Sequence, residues 1–119
     1  MNNVANENKE LIEEARTRLV ETAEGILNGS VGIIIGCRMM NEFIAFAELD
    51  IDEDDRMTFQ SVESHTGHLP VGEVRNLWNE EALKKKDEEI KKAEIMFTGI
   101  VKDSCSFILN KYSSEHQAP

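Results

Sequence analysis

The stretch SVGIIIGCRMMNEFIAFAEL, residues 30–49, decides the fold class. Ile33-Ile34-Ile35 between two glycines fits a short buried strand, because a brief apolar run bounded by turn residues suits one. The polar residues argue otherwise. Arg38, Asn41, Glu42 and Glu48, with small Ala45 among them, fall on one narrow stripe of an otherwise apolar helix. We read a mostly buried central helix, with a short strand near residues 31–36 as the alternative. Ser30 can cap its start. Gly32 and Gly36 lie one turn apart and would let another helix approach closely, each at about 1 kcal/mol of helix propensity.

Outward from that segment, both flanks read as helical. Upstream, Leu11, Ala15, Leu19, Ala23 and Ile26 step by four, four, four and three, which predicts a helix from about Asn6 to Leu27, widened at its start by Ile12. Asn28-Gly29 suits its end, since both tolerate a left-handed backbone. Downstream, Asp50 to Pro70 reads as an acidic connection with a short helix near Arg56 to Glu63 and a turn at His65-Thr66-Gly67-His68. Another short helix is expected over Pro70 to Trp78, with the proline at its start, where a missing N–H is harmless.

The clearest element comes last. Asn79 is a good N-cap, and Glu80 and Glu81 follow where the helix dipole favours acids. Leu83, Ile90, Ala93, Phe97, Ile100 with Val101, Ser104 with Cys105, Ile108 and Tyr112 then keep one seam at helical spacing. About thirty residues at 1.5 Å each make a rod of roughly 45–50 Å. Such a rod is longer than the core needs, so one end is a candidate partner surface. Residues 1–5 and 113–119 are expected to fray. The expected fold class is all-α: a single-domain helical bundle over residues 1–119 with a long C-terminal helix.

The 119 residues suit one domain, and a chain of this length buries roughly two-thirds of its unfolded surface without a metal or disulfide staple. An apolar fraction of 40% beside 30% charged residues fits a folded chain, not a disordered one. The net charge of −10 is unevenly spread. Between Glu42 and Glu63 stand eight acids (Glu42, Glu48, Asp50, Asp52, Glu53, Asp54, Asp55, Glu63) against one base, Arg56. From Glu80 to the last residue the balance is nearly even, eight acids to seven lysines. A single-sign patch repels nucleic acid and anionic membrane and draws cationic partners inward. The same segment would also serve as a solvated loop that keeps the protein soluble.

Cys37 and Cys105 sit among apolar neighbours and read as reduced core thiols. The first residues have neither the basic region nor the apolar region of a signal peptide, which points to the cytoplasm. Val31 to Ala47 is interrupted by Arg38, Asn41 and Glu42, so it is not a membrane span.

Asp50, Asp52 and Asp54 match the first three ligand positions of an EF-hand, with Met57 at the apolar one. Asp55 stands where glycine permits the sharp turn, and Ser61 where a bidentate glutamate belongs, so both departures damage the mechanism. His65 and His68 near Glu63 fall short of the four ligands of a structural zinc site and read as hydrogen-bonded groups at a turn. No nucleophile elbow, phosphate-cradling loop or H-E-x-x-H motif is present, and an apolar setting keeps Cys37 protonated and inert. Lys84-Lys85-Lys86 and Lys91-Lys92 alternate with acids at helical spacing and read as a salt-bridged solvated face, not a nucleic-acid surface. Trp78 reads as an anchor where the short helix meets the long one. We expect no catalytic residues, no cofactor and no metal.

The run Ser64-His65-Thr66-Gly67-His68-Leu69-Pro70-Val71-Gly72-Glu73-Val74-Arg75-Asn76-Leu77-Trp78, continued by Ala82-Leu83 and Asp87-Glu88-Glu89-Ile90, resembles a motif of small bacterial proteins of uncharacterised function. Those proteins are similar in size and acidity to the immunity proteins that neutralise secreted or contact-delivered toxins. The resemblance spans about Phe59 to Ile90, and Gly67 or His68 stands where the family pattern has an acid. It implies an all-helical fold without catalytic residues. The expected function is that of an immunity protein whose acidic residues, Glu42, Glu48, Asp50, Asp52, Glu53, Asp54, Asp55 and Glu63, hold a basic toxin domain such as a nuclease. The alternative is a helical adaptor or homodimer that pairs through its long last helix.

Overall fold

Residues 33–47 form a helix, and the strand alternative is excluded. Gly36 donates its N–H to the Gly32 carbonyl at 2.8 Å. Ile33, Ile34, Gly36, Cys37, Met40 and Ala47 are buried while Ile35 faces out, which is helical spacing and not the alternation of a strand. The computed structural model describes the backbone of residues 3–117 and the side chains of residues 7–112. Its elements are α1 (Asn3–Asn28), α2 (Ile33–Ala47), α3 (Glu53–Thr66), a 3-10 segment (Gly72–Leu77) and α4 (Glu80–Gln117). No strand occurs among the described residues. Of the ends expected to fray, residues 1–2 and 118–119 lie outside those described.

The junction of α1 and α2 departs from expectation in its chemistry. Gly29 does take the left-handed backbone, at φ 86°, and ends α1. Ser30 does not cap α2, because Gly32 occupies that position without a side-chain bond. Instead the Asn28 carboxamide oxygen accepts the Ser30 N–H at 2.8 Å, and the Val31 N–H reaches back to the Gly25 carbonyl at 3.0 Å. Only one of the two expected glycines mediates close packing. A Cβ at Gly36 would stand 2.6 Å from Ile26 of α1, whereas one at Gly32 would meet nothing nearer than Ile35 at 3.7 Å.

One core joins all four helices. Leu19, Ala23 and Ile26 of α1 meet Cys37, Met40 and Ala47 of α2, Phe59 and Val62 of α3, and Val101, Cys105, Ile108 and Tyr112 of α4. Each buried Leu, Ile, Val, Met or Phe among them contributes on the order of 1.5–3 kcal/mol. Ile34, Leu69 and Ile90 form a smaller cluster under the 3-10 segment.

The polar stripe of α2 divides between inside and outside. Arg38 donates to the Thr66 and Leu69 carbonyls at 2.7 and 3.2 Å, and so satisfies the end of α3. Asn41 donates to the Phe59 carbonyl and to Glu63 at 3.0 and 2.7 Å. Arg16 of α1 does for α2 what Arg38 does for α3, reaching the Ala47 and Glu48 carbonyls at 2.7 and 3.1 Å. Glu42 and Glu48 stay exposed.

Three elements differ in extent from the sequence-based expectation. The acidic connection holds a longer helix, since α3 begins at Glu53 and continues to Thr66. Pro70 is buried ahead of the 3-10 segment, which Val71 precedes as its N-cap. The last helix runs for 38 residues, about 57 Å at 1.5 Å per residue, and the longest dimension of the molecule is 54 Å. Asn79 caps it as expected, accepting the Ala82 N–H at 2.8 Å.

Candidate functional site

Alternation builds the acidic surface. In the linker between α2 and α3, Leu49 is half-buried and Ile51 is buried, so Glu48, Asp50 and Asp52 between and beside them face solvent. Glu48 adopts a left-handed backbone, φ 50° and ψ 43°, where it ends α2. The linker is pinned from both sides. Arg16 holds its start, while Lys111 donates to the Asp50 carbonyl at 2.9 Å and Tyr112 donates to the same oxygen. Asp52 is the N-cap residue of α3, and Glu53, Asp54 and Asp55 fill its first turn, where the helix dipole favours negative charge. Lys111, 3.8 Å from Asp52, is the one cation paired with this run among the described residues.

Five of the eight acids singled out in the sequence therefore share one exposed junction: Glu48, Asp50, Asp52, Glu53 and Asp54. The other three sit elsewhere. Asp55 is only 9% exposed and turns into the core beside Cys105, so it leaves the docking set. Its position one helical step past Asp54 explains the correction, since the first turn of α3 must turn one side inward. Glu63 is half-buried and bonded to Asn41. Glu42 is exposed at the rim of a groove the sequence did not reveal.

That groove lies between α1 and α2. Leu11, Ala15, Phe43 and Phe46 form its walls and Glu14, Arg18 and Glu42 its rim, around a volume of about 210 Å³. Leu11 is 59% exposed and Phe46 is 62% exposed, unusually open for such large apolar groups. The cause is a mismatch in length. At 1.5 Å per residue α1 is about 39 Å long and α2 about 22 Å, so the first turns of α1 run past the end of α2. Ala15 and Phe46 line the groove, and Arg16 beside Ala15 is bonded to the Ala47 and Glu48 carbonyls, so the groove lies next to the start of the acidic linker. A second hollow of about 220 Å³, lined by Arg18, Glu21, Thr22, Val31, Met39 and Phe43, continues it along the two helices.

The remaining candidate groups do not converge on a reaction centre. Burial pushes the Cys37 and Cys105 thiols up to about 12, far above the range in which a thiolate attacks or binds metal. His65 is bonded to the Ser61 carbonyl at 2.8 Å and packs against Phe97, whereas His68 faces Glu89 at 3.4 Å. The EF-hand positions from Glu53 onward lie inside α3, so that segment cannot wrap a cation. Among the described residues no group of three or more His, Cys, Asp or Glu is placed to hold a metal, and no helix is long and apolar enough to cross a membrane.

The motif around Trp78 is a structural joint. Arg75 makes a two-pronged bond to Asp87 at 2.7 and 3.1 Å and a third to the Pro70 carbonyl at 3.2 Å, tying the 3-10 segment to α4. Arg75's hydrogen bond holds the Asp87 carboxyl below its ordinary value. Trp78 is half-buried at the start of that joint. Comparison with known proteins returned no matching family model, no similar curated protein and no similar solved structure.

Proposed function

We propose that this protein is a non-enzymatic binding protein that neutralises a basic protein domain, in the manner of an immunity protein. One observation carries the reading. An apolar groove with Leu11 and Phe46 exposed, rimmed by Glu14, Arg18 and Glu42, lies at the end of α2 from which five solvent-facing carboxylates follow. Apolar anchors supply affinity at the centre of an interface, and charge of one sign next to them, here the five carboxylates of the junction, supplies speed and choice of partner. A basic domain with an apolar side chain at its edge would satisfy both parts. Nuclease active sites suit the charge, because they are basic in order to hold phosphates, and an acidic junction can occupy such a site in place of the nucleic-acid backbone.

The test is capture of a partner from the native host, with washes of rising salt, followed by expression of the captured polypeptide with and without this protein. The expected result is one basic polypeptide, released by moderate salt, toxic alone and harmless in company. Phe46→Glu and the double variant Asp52→Lys/Asp54→Lys should each weaken that complex by about tenfold or more. Equal retention by both variants would remove the groove and the junction from the mechanism.

A further inference from the structure

The outer face of α4 is chemically unlike the acidic junction. Between Glu80 and Tyr112 this helix carries seven acids and seven lysines, so it has no net charge. Its inner seam is spent on the core. On the other side, Met96 is 72% exposed, Ile100 54% and Phe107 64%. With Asp103 they step by four, three and four residues, which places all four within an arc of about 60° on the helix surface. That is an apolar seam with one carboxylate in it. Lys92 and Asp103 border or enter the seam, both exposed, and neither forms an ion pair among the described residues.

We propose that this seam is a self-docking surface on which a second copy of the chain lies with its α4 antiparallel to the first. Charge selects both the occupant and the direction. In a parallel pair every residue faces its own copy, so Asp103 would oppose Asp103 and Lys92 would oppose Lys92. In an antiparallel pair with the twofold axis at Thr98, Met96 of each copy lies beside Ile100 of the other. Asp103 of each then comes alongside Ala93 of the other, one residue from Lys92. Two apolar layers at the centre are thus flanked by two Lys92–Asp103 pairs. The partner's own charges answer this surface, which is the isologous matching a twofold dimer requires. Long-range repulsion between two molecules of net charge −10 is least across a face that is itself neutral. The seam shares no residue with the acidic junction. Ile100 and Asp54 border one hollow from opposite sides, whereas Met96, Asp103 and Phe107 stand clear of it, so Asp103 variants test the dimer apart from the proposed toxin-binding role.

Sedimentation equilibrium of the full chain over a range of concentrations tests it. The wild type is expected to associate reversibly to a dimer. Ile100→Glu should weaken association by about 100-fold, because each dimer contains the change twice, and its melting temperature should stay near that of the wild type. Asp103→Lys should weaken it by about tenfold at low salt and less at high salt. The double exchange Lys92→Asp/Asp103→Lys should restore it. A wild type that remains monomeric up to about 1 mM would overturn the proposal. So would a dimer indifferent to Ile100→Glu, and failure of the double exchange to rescue would overturn the antiparallel arrangement.

Discussion

The junction of α2 and α3 and the outer face of α4 are both solvent-facing and both rich in charge, yet they are built in opposite ways. The junction has charge of one sign and is fixed from beneath: Ile51 is buried, Arg16 and Lys111 hold its carbonyls, and Tyr112 closes it. The α4 face has charges of both signs and an apolar seam open to solvent, of which Ile100 alone borders α3, across a hollow lined by Met57 and Val62. A one-signed surface cannot match its own copy and must look to a partner of the other sign. A balanced surface with an apolar seam can match itself. The difference also predicts how substitutions behave. Changes under the junction should disturb stability and binding together, whereas changes on the α4 face should disturb association alone.

The largest expected effect tests whether the two regions share one core. Cys37 and Cys105 lie at its centre with thiols raised from the ordinary 9.0 to about 12 by burial. A raised acid is protonated in the fold while the unfolded chain loses its proton near pH 9. Stability is therefore complete below that pH and falls as pH climbs from 9 towards 12, by up to about 1.4 kcal/mol per pH unit for each thiol. Urea midpoints between pH 8 and 10.5 should fall for the wild type and fall less steeply for Cys105→Ala. A parallel fall in the two proteins would mean that the thiols are not the groups responsible. Binding at the junction and association through α4 should be lost in the same pH range, since one core supports both.

Next in size is a matched pair of truncations. Ile51→Ala empties a buried site under the junction and should cost about 2–4 kcal/mol. Ile100→Ala removes a side chain that is mostly in water and should cost well under about 1 kcal/mol. Denaturant unfolding measures both, and equal losses would erase the distinction between an anchored surface and an unanchored one. Arg16→Ala should fall between them at about 1–3 kcal/mol, because it strands two carbonyls at the end of α2. It should also loosen the acids that follow, which makes weaker partner binding its second readout.

How much of this was legible in the sequence depends on the range of the cause. Local causes read well. Asn79 as cap, Gly29 as stop and the seam of Ile90, Val101, Cys105 and Ile108 all follow from neighbours a turn away. Arg38 and Asn41 showed as a polar stripe, but periodicity cannot say that the stripe faces another helix, where carbonyls of α3 await it. Asp55 looked like its neighbours, and only the direction in which α3 packs turns it inward. Leu11 belonged to the apolar stripe of α1 by spacing. Its exposure comes from the early end of α2, a fact about a different helix. The groove was hidden for that reason: each wall was visible, and the mismatch in length that opens it was not.

The smallest expected effect is the most discriminating for charge. Asp52 is the N-cap residue of α3 yet makes no side-chain cap bond, so its contribution is that of a negative charge near a helix N-terminus, about 0.3–1 kcal/mol. Its pairing with Lys111 adds little, because both groups are wet and Lys111 keeps its bond to the Asp50 carbonyl. Asp103, far from either helix end and without an ion pair among the described residues, has no such term. Asp52→Lys should therefore lower stability slightly in low salt and almost not at all in high salt, while Asp103→Lys should leave unfolding unchanged in both. In binding the order should persist only for a basic partner, whose affinity falls with Asp52→Lys and ignores Asp103→Lys. Self-association should show the reverse, and a single variant that weakens both would mean the two surfaces are one.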